Sequence, residues 1–263
     1  MIIAQITDLH IMPRGELLQG RVDTASYLEL GVKKLLSLKP RPDVVLITGD
    51  LVDNGRAEEY RLLREIIAPL MMPVYVIPGN HDDREVLREE FADHSYLPRE
   101  GFLQYAIDDF PVRLIALDTV IPMRTEGELC AERLAWLKSS LDQSAKKPAL
   151  IFMHHPPFET GIAHMDNYGL VNPNEFAAIV EKYPQVQRIV SGHVHRAIQA
   201  QFAGTLALTC PGAAHQIHFD MAADAPAAFT FEPAGFMLHV WNGRSLATHT
   251  LYSGKHEGPI LYR

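Results

Sequence analysis

The sequence predicts an α/β fold in which a largely parallel sheet is followed by a β-rich C-terminal region. Short apolar runs, typical of strands buried on both faces, alternate with amphipathic helical patterns over residues 1–196. Strand-helix alternation of this kind implies βαβ units, whose strands are parallel. After residue 196 the β-like stretches continue, but no convincing amphipathic helix separates them.

Six apolar runs in the first part are predicted strands, at residues 2–7, 43–48, 73–77, 112–117, 149–153 and 187–191. Three helices are predicted between them from apolar residues at helical spacing, namely Leu28, Val32, Leu35 and Leu36, then Tyr60, Leu63, Ile67 and Leu70, then Leu134, Leu137 and Leu141. The tail, residues 197–263, is expected to be antiparallel, with strands near 205–209, 236–241 and 245–251. Its Ala-rich stretch at 221–228 is expected to be a loop.

Charge and composition exclude several classes of protein. The 24 basic and 32 acidic residues give a net charge of −8, the wrong sign for binding long nucleic acid through many phosphates. The chain has no apolar run of the roughly 18 to 20 residues that a membrane span needs, and its start lacks the basic region of a signal peptide. We therefore expect a cytoplasmic protein without a membrane partner. Cys130 and Cys210 are too far apart for a Cys-x-x-Cys site and are expected to be reduced thiols.

The chain has 13 histidines, and several of them lie in polar clusters directly after predicted strands. These clusters are Asp8-x-His10, Gly49-Asp50, Gly79-Asn80-His81-Asp82, His154-His155 and Gly192-His193-x-His195. The carboxyl ends of strands form the ligand crevice of open α/β sheets, so the clusters are expected to meet there. If the chain is extended at Asp8/His10 and at His193/His195, both side chains of each pair point to the same side.

The residue types in these clusters are those of a catalytic metal site. Carboxylate, imidazole and amide groups without cysteine favour Mn, Fe, Zn or Co in open coordination. Seven candidate ligands are too many for one ion but suit two if one carboxylate bridges them: Asp8, His10, Asp50, Asn80, His154, His193 and His195. Two ions about 3.5 to 4 Å apart can turn a bridging water into hydroxide and clamp a phosphoryl group. Gly49, Gly79 and Gly192 precede ligand positions and are expected to permit sharp turns there.

Each cluster also has a simpler interpretation when it is considered alone. Asp8-x-His10 could be a polar strand end and Gly49-Asp50 a turn, while Asp82 or Asp83 could cap a following helix. The conjunction of five clusters at strand ends favours one dinuclear site over five unrelated features. His155 could be a ligand or could support one through hydrogen bonds. The histidines that fit no motif are interpreted as surface or packing residues: His94, His164, His218, His239, His249 and His256.

In order and spacing, the five clusters resemble the signature blocks of the calcineurin-like metallophosphoesterase superfamily, over about residues 6 to 196. Within it, the segments Pro78–Asp83, Phe152–Pro157 and Pro211–Gln216 resemble bacterial glycerophosphodiesterases and class III cyclic-nucleotide phosphodiesterases. The resemblance implies a four-layer αββα sandwich with a catalytic core at 1–196. Residues 197–263 would complete the second sheet and form a cap or dimerisation region, so a homo-oligomer is expected.

The resemblance also implies how the ligands divide. Asp8, His10, Asp50 and His195 would hold one metal, and Asp50, Asn80, His154 and His193 the other, with Asp50 bridging. The metals vary among Fe, Mn, Zn and Co. His81, Asn80 and, by its Pro-Gly-x-x-His pattern, His215 would face the substrate phosphate.

The implied activity is hydrolysis of small phosphodiesters, such as glycerophosphodiesters or cyclic nucleotides, by a metal-bridging hydroxide. His81 would act as hydrogen-bond donor or acid, and Asp53 resembles the aspartate that pairs with the active-site histidine of phosphoprotein phosphatases. Asn54 stands where those phosphatases carry an arginine suited to a dianionic monoester, which favours a monoanionic diester unless Arg14 or Arg124 replaces it. A phosphomonoesterase or 5′-nucleotidase and a non-catalytic scaffold are the alternatives.

Overall fold

The computed structural model describes residues 1–262 as two sheets flanked by helices. The helices are α1 (Thr24–Ser37), α2 (Ala57–Ile67), α3 (Arg84–Glu90), α4 (Ala131–Asp142), α5 (Ala163–Asp166) and α6 (Pro173–Val180). The strands of the first part are β1 (Ile2–Ile6), β2 (Val44–Thr48), β3 (Val74–Ile77), β4 (Tyr105–Ile107), β5 (Arg113–Ala116), β6 (Ala149–Phe152) and β7 (Val186–Ser191). Those of the tail are β8 (Ile198–Phe202), β9 (Thr205–Thr209), β10 (Gln216–Ile217), β11 (Phe229–Thr230), β12 (Gly235–Trp241) and β13 (Leu246–Tyr252).

The first sheet has the order β13-β12-β1-β2-β3 and the second the order β4-β5-β6-β7-β9-β8. β1, β2 and β3 are mutually parallel, as are β5, β6 and β7. β10 and β11 form a separate two-stranded hairpin. The carboxyl ends of the parallel strands therefore lie at one edge within each sheet.

Alternating side chains of the second sheet show the layering. Leu150 and Phe152 of β6 are buried in the same cluster as Ile3, Leu46 and Val76 of the first sheet. Ile151, between them, is buried on the other face in a cluster that includes residues of α4 and α6. The first sheet is covered on its outer side by α1, α2 and α3, which pack on one another. The predicted four-layer αββα sandwich is confirmed.

The local predictions for the first part are confirmed. The six apolar runs form β1, β2, β3, β5, β6 and β7, and the three helical patterns form α1, α2 and α4. Asp83 caps α3, because its carboxylate accepts hydrogen bonds from the backbone N–H groups of Glu85 and Val86 at 2.9 Å. The Asp82 carboxylate instead accepts bonds from the N–H groups of Leu51 and Gly79, which ties two turns of the site together.

The tail differs from its prediction in two respects. The 221–228 stretch is a loop, as expected, but the tail is not wholly antiparallel, because β9 pairs with β7 in parallel. The tail also completes both sheets rather than the second alone, since β12 pairs with β1. The reason is that the exposed edge of each sheet accepts a strand, and the tail is long enough to supply both. No helix within residues 1–262 has the length and apolar character to cross a membrane.

Candidate metal centre

The seven predicted ligands meet where five strands end. Asp8 and His10 follow β1, Asp50 follows β2 and Asn80 follows β3, all in the first sheet. In the second sheet, His154 follows β6, and His193 and His195 follow β7. All of them except Asn80 are buried. We call these seven side chains the donor cluster: Asp8, His10, Asp50, Asn80, His154, His193 and His195.

Donor atoms in this cluster lie close together. On one side, His195 Nε2 is 3.2 Å from His10 Nε2 and 3.5 Å from Asp8 Oδ1. On the other, Asn80 Oδ1 is 3.1 Å from His154 Nε2 and 3.0 Å from His193 Nδ1. Asp50 Oδ2 lies between the two groups, 3.5 Å from His10 Nε2 and 3.3 Å from His154 Nε2.

These separations fit metal coordination. Ligand atoms about 2.0 to 2.2 Å from one ion lie roughly 3 to 3.5 Å from each other. Two of the groups able to hold an ion are Asp8 with His10 and His195, and Asp8 with Asp50 and His154. Asp50, which contacts both sides, has the position that a bridging carboxylate needs.

Hydrogen bonds on the far side of the rings orient three of the histidines. Nδ1 of His154 lies 2.9 Å from the carbonyl of Thr48, and Nδ1 of His195 lies 3.2 Å from the carbonyl of His215. Because a carbonyl only accepts, Nδ1 carries the proton in both rings. Nε2 is therefore the nitrogen that faces the cluster, and it would bind an ion with loss of any proton it carries. In His10, Nδ1 faces the Asp53 carboxylate in the same way, at 3.1 Å.

The backbone at the cluster is strained. Five of the seven residues have a left-handed φ between 44° and 69°, a region that residues other than glycine rarely adopt: Asp8, His10, Asp50, His193 and His195. Such strain costs on the order of 1 to 3 kcal/mol per residue and concentrates at functional sites. The expectation of an extended chain at the two skip-one pairs is therefore wrong. Their side chains converge because the chain turns sharply.

The glycines beside the ligands act by two different means. Gly49 has a φ of +91°, so it supports a turn as predicted. Gly192 has no such φ; a Cβ on it would lie 2.0 Å from Thr7 Oγ1 and 2.9 Å from Asp8 Oδ2. Gly79 is restricted similarly, by the backbone of Asp50. Here the absence of a side chain matters because strand ends from different parts of the chain approach one another.

Burial and close charges shift the pKa values of the cluster in opposite directions. Burial raises the pKa of Asp50, but the charges of His154 and His81 outweigh it and hold that pKa well below its usual range. Burial lowers the pKa of His154, but Asp50 and Asp8 raise it to about 9. Burial and the neighbouring His154 lower the pKa of His193 to about 3. His193 therefore stays neutral, which a metal ligand requires.

His81 lies at the rim of the cluster. Its backbone N–H donates to Asp50 Oδ1 at 3.0 Å, and its ring packs edge-on against His10. Nδ1 of His81 donates to the backbone carbonyl of Asp53 at 2.9 Å, whereas the Asp53 carboxylate is 3.5 Å away. The carboxylate is closer to His10. Of the two histidines, His10 is thus the nearer partner of the Asp53 side chain.

His155 is buried behind the cluster and uses both ring nitrogens within the protein. Nε2 donates to the carbonyl of Thr125 at 2.9 Å, and Nδ1 accepts from the hydroxyl of Thr119 at 2.7 Å. Its ring also lies close enough to His154 and His193 for the three to form a group that could hold an ion. Its two hydrogen bonds within the protein favour the supporting role over the ligand role.

A cavity of about 510 Å³ opens above the donor cluster. His215 is in its wall, buried, with its ring centre 4.5 Å from that of His195 and 5.1 Å from that of Phe229. Burial and the charge of His10 lower the pKa of His215 to about 4. The rest of the wall comes mainly from two segments, residues 164–168 before α6 and residues 217–229 around the hairpin, with Leu18, Gln19 and Thr125 from other loops.

Several wall residues were not singled out in the sequence, among them His164, Met165, Tyr168 and Phe229. They lie in segments without a periodic pattern, residues 164–168 between the His154-His155 cluster and α6, and Phe229 in the tail. His164 was interpreted as a surface or packing residue. Its position in a long irregular segment between two elements was the one available signal, because such segments often carry binding residues.

The family model described as calcineurin-like phosphoesterase matches residues 1–197. A probable glycerophosphodiester phosphodiesterase of Arcobacter nitrofigilis is 41% identical over 264 residues, covering 100% of this chain and 97% of the relative. A 3′,5′-cyclic adenosine monophosphate phosphodiesterase of Pseudomonas aeruginosa is 31% identical over 202 residues, covering 76% of this chain and 72% of the relative.

A solved structure supports the fold. A dimetal phosphatase from Danio rerio superposes with a TM-score of 0.65 at 18% identity, covering 96% of this chain and 99% of that one. At this identity the likeness concerns the fold alone.

Proposed function

The chain belongs to the calcineurin-like phosphoesterase family, and we propose that it is a metal-dependent phosphodiesterase acting on small phosphodiesters. The names of its relatives support this, since they include a glycerophosphodiester phosphodiesterase and a cyclic adenosine monophosphate phosphodiesterase. The proposed substrates are glycerophosphodiesters or cyclic nucleotides.

The observation that carries the proposal is the charge of the cavity wall. Its lining among residues 1–262 includes the donor cluster side chains His10, Asp50, Asn80, His193 and His195 but no arginine or lysine. A guanidinium binds and neutralises the doubly charged phosphate of a monoester well. The phosphate of a diester carries only one negative charge and needs less positive charge from the protein. The wall therefore favours a diester.

Three positions that could have supplied such an arginine do not. Asn54, which stands at the arginine position of the phosphatases, donates its amide hydrogens to Glu59 at 2.9 Å and Asp53 at 3.3 Å. Arg14 pairs with Glu65 at 3.2 Å, and Arg124 pairs with Glu126. Neither arginine lines the cavity.

For the metals we propose the division expected from the family. Asp8, His10, Asp50 and His195 hold one ion, and Asp50, Asn80, His154 and His193 hold the other. Nitrogen and oxygen donors without thiolate fit Fe, Mn, Zn or Co. When bound, two such ions supply Lewis-acid activation of the phosphoryl group and a strong nucleophile at neutral pH.

The remaining roles fall to side chains at the rim. His81 borders the cavity and is 39% exposed, so it can reach a bound phosphate, and it serves as hydrogen-bond donor or as acid to the leaving alkoxide. Asp53 orients His10 and, through its backbone carbonyl, His81. His215, also in the wall, contacts the substrate.

A non-catalytic scaffold is the main alternative outside enzymes. A degraded site would lack ligands or the histidine at the rim. All seven members of the donor cluster and His81 are present and converge, so the scaffold is disfavoured.

We also propose that the chain self-associates through its C-terminal part. Phe219, Met221 and Phe231 each expose more than half of their surface there. Light scattering of the protein tests this, with Phe219→Asp and Phe231→Asp as variants that should dissociate the oligomer. A monomeric wild type would refute it.

The proposed activity is tested on a matched panel with protein of measured metal content. The panel comprises bis-nitrophenyl phosphate, nitrophenyl phosphate, glycerophosphodiesters, and 2′,3′- and 3′,5′-cyclic AMP. We expect hydrolysis of diesters in preference to nitrophenyl phosphate. Activity on monoesters alone would support a phosphomonoesterase or 5′-nucleotidase, and no activity with both metals bound would support the scaffold.

A further inference from the structure

One buried arginine has no counter-charge. Arg188, in β7, is 8% exposed, and its pKa is lowered by burial alone. The other buried arginines, Arg113 and Arg133, lie 3.5 Å and 3.3 Å from the carboxylates of Asp108 and Glu128. Arg188 forms no such ion pair among residues 1–262. An unpaired cation is costly to bury, so this guanidinium calls for an explanation.

The side chain of Arg188 points into the space between the two sheets. Successive residues of a strand face opposite sides of its sheet. Ile189 is buried on the outer face, with residues of α4 and α6, whereas Val190 belongs to the cluster between the sheets. Arg188 therefore shares the inner face with Val190. Its Nη2 reaches the first sheet, where it donates to the backbone carbonyl of Leu246 in β13 at 2.6 Å.

Arg188 lines a groove of about 370 Å³. The groove lies between β8 and β9 at one edge of the second sheet and β12 and β13 at one edge of the first. Besides Arg188, its wall is formed by apolar side chains and by uncharged polar ones: Ala197, Ile198, Leu206, Leu208 and Met237, with Gln199, Thr248 and Thr250. The volume is within the usual range for small-molecule sites, about 300 to 1,000 Å³. The groove shares no residue with the cavity above the donor cluster.

One nitrogen of the guanidinium remains available to a ligand. Nε is enclosed and has no partner, and Nη2 is bonded to Leu246. Nη1 makes no hydrogen bond among residues 1–262 and, unlike Nε, is not an enclosed atom. Since Arg188 is part of the groove wall, Nη1 is the donor that it offers there.

We propose that this groove binds a small aliphatic carboxylate. One guanidinium compensates one negative charge, and its hydrogen bond to a carboxylate is charge-assisted. A phosphate monoester, which carries nearly two charges at neutral pH, would leave one of them without a cation. The aliphatic chain lies on Leu206, Leu208 and Met237 and buries their apolar surface. The inference is independent of the proposed function, because the groove and the cavity are separate.

The test uses metal-loaded protein and octanoate as the probe. Octanamide is its uncharged counterpart, and acetate has the charge without the chain. The methyl signal of Met237 in an NMR spectrum of methionine-labelled protein reports binding in the groove, and Met237→Leu identifies that signal. Arg188→Gln keeps a donor for Leu246 but removes the charge, and Arg188→Lys keeps the charge. Arg41→Gln, at an exposed arginine outside the groove, is the control.

We expect wild type and Arg41→Gln to bind octanoate at least about tenfold more tightly than octanamide, the effect of one charge-assisted hydrogen bond. Acetate should bind more weakly still, because it buries no chain. Arg188→Gln should bind octanoate and octanamide alike, and Arg188→Lys should keep part of the preference. Octanoate should raise the unfolding temperature of wild type but not that of Arg188→Gln.

Several outcomes would overturn the proposal. Equal affinities of wild type for octanoate and octanamide would do so whether or not the variants fold, and so would a Met237 signal that octanoate does not shift. An undiminished preference in Arg188→Gln would place the binding elsewhere, for example at the metal ions. If octanoate had no effect on wild type and Arg188→Gln gave a smaller species in light scattering, a second copy of the chain would supply the counter-charge instead.

Discussion

The carboxylate of Asp53 lies 3.1 Å from Nδ1 of His10, on the side of that ring opposite the donor cluster. Burial raises the pKa of Asp53, but the hydrogen bond and charge of His10 outweigh it and lower that pKa. The aspartate therefore remains charged and orients the ring of His10, a proposed metal ligand. If His10 binds an ion, Asp53 should contribute to metal affinity.

We predict that Asp53→Asn weakens metal binding by about 10- to 100-fold, the usual effect of removing a group that orients a ligand. Competition with a chelator, followed by metal analysis, measures this. Asp142→Asn, which removes an exposed carboxylate paired with Lys138, is the control and should leave affinity unchanged. Retention of wild-type affinity by Asp53→Asn would contradict the assigned role.

His81→Ala should show the opposite pattern. Because His81 borders the cavity and its side chain is not in the donor cluster, we expect metal content to stay near wild type. Turnover of bis-nitrophenyl phosphate should fall by about 10²- to 10⁴-fold, the range of general acid-base assistance. Stopped assays with metal analysis of the same sample check both. Unchanged turnover would remove His81 from the mechanism.

Gly192→Ala should disrupt the site through a steric clash. The new Cβ would lie 2.0 Å from Thr7 Oγ1 and 3.0 Å from the carbonyl of Thr48, so the strand ends must separate. We expect the free energy of unfolding to fall by about 1 to 3 kcal/mol, with loss of bound metal.

Gly31→Ala provides the matched control for that substitution. Its Cβ, in helix α1, would have only Ser253 Oγ within 4 Å, at 3.7 Å. Alanine is favoured over glycine in a helix by about 0.5 to 1 kcal/mol, so this variant should be as stable as wild type or more so. Urea unfolding measures the free energy of unfolding of both variants. An equal decrease in the two would refute the steric argument.

The stability of the metal-free protein should decrease in acid partly because of His239. Burial and the charge of Arg188 lower the pKa of this histidine to about 3, from its ordinary value of about 6.5. The unfolded chain therefore binds a proton below pH 6.5 that the folded chain does not. The stability from the neutral histidine is complete above pH 6.5 and is lost as the pH falls from there towards 3.

His239→Gln should make the protein less sensitive to acid. Between pH 7.5 and pH 5.0, wild type should lose about 2 kcal/mol more unfolding free energy than the variant, the contribution of one such proton. Urea unfolding in the presence of a chelator measures the difference, and the other buried histidines cancel because both proteins contain them. An identical pH dependence in the two proteins would show that His239 does not contribute.

The strands and helices around the site could be predicted from sequence because local patterns determine them. Residues 44–47 are apolar at every position, since both faces of β2 are buried, and such short apolar runs are typical of central strands. β4, with three residues, escaped prediction and α3, with seven, was indicated only by a capping aspartate, because both are too short for a period to appear. The helix α3 depends on its N-terminal cap, and the strand β4 depends on its pairing with β5.

The donor cluster was also predictable, and for a related reason. In a parallel sheet the residues that follow each strand lie at the same edge. Polar residues directly after predicted strands therefore indicate the ligand crevice from the sequence alone. His215 lies in the tail, whose expected antiparallel strands would not lead to that edge. β9 in fact runs parallel to β7, and its carboxyl end therefore leads towards the same edge and brings His215 beside His195.

By itself the sequence determined the fold class, the positions of the central strands and the side chains that form the donor cluster, because each depends on residue type and local order. Only the tertiary structure decided which partner each side chain has. It paired Asp53 with His10, gave both ring nitrogens of His155 hydrogen-bond partners in threonine residues, and placed His164 in the cavity wall. These outcomes depend on how distant segments pack, with distances of a few tenths of an ångström deciding between neighbours, and no local pattern encodes such distances.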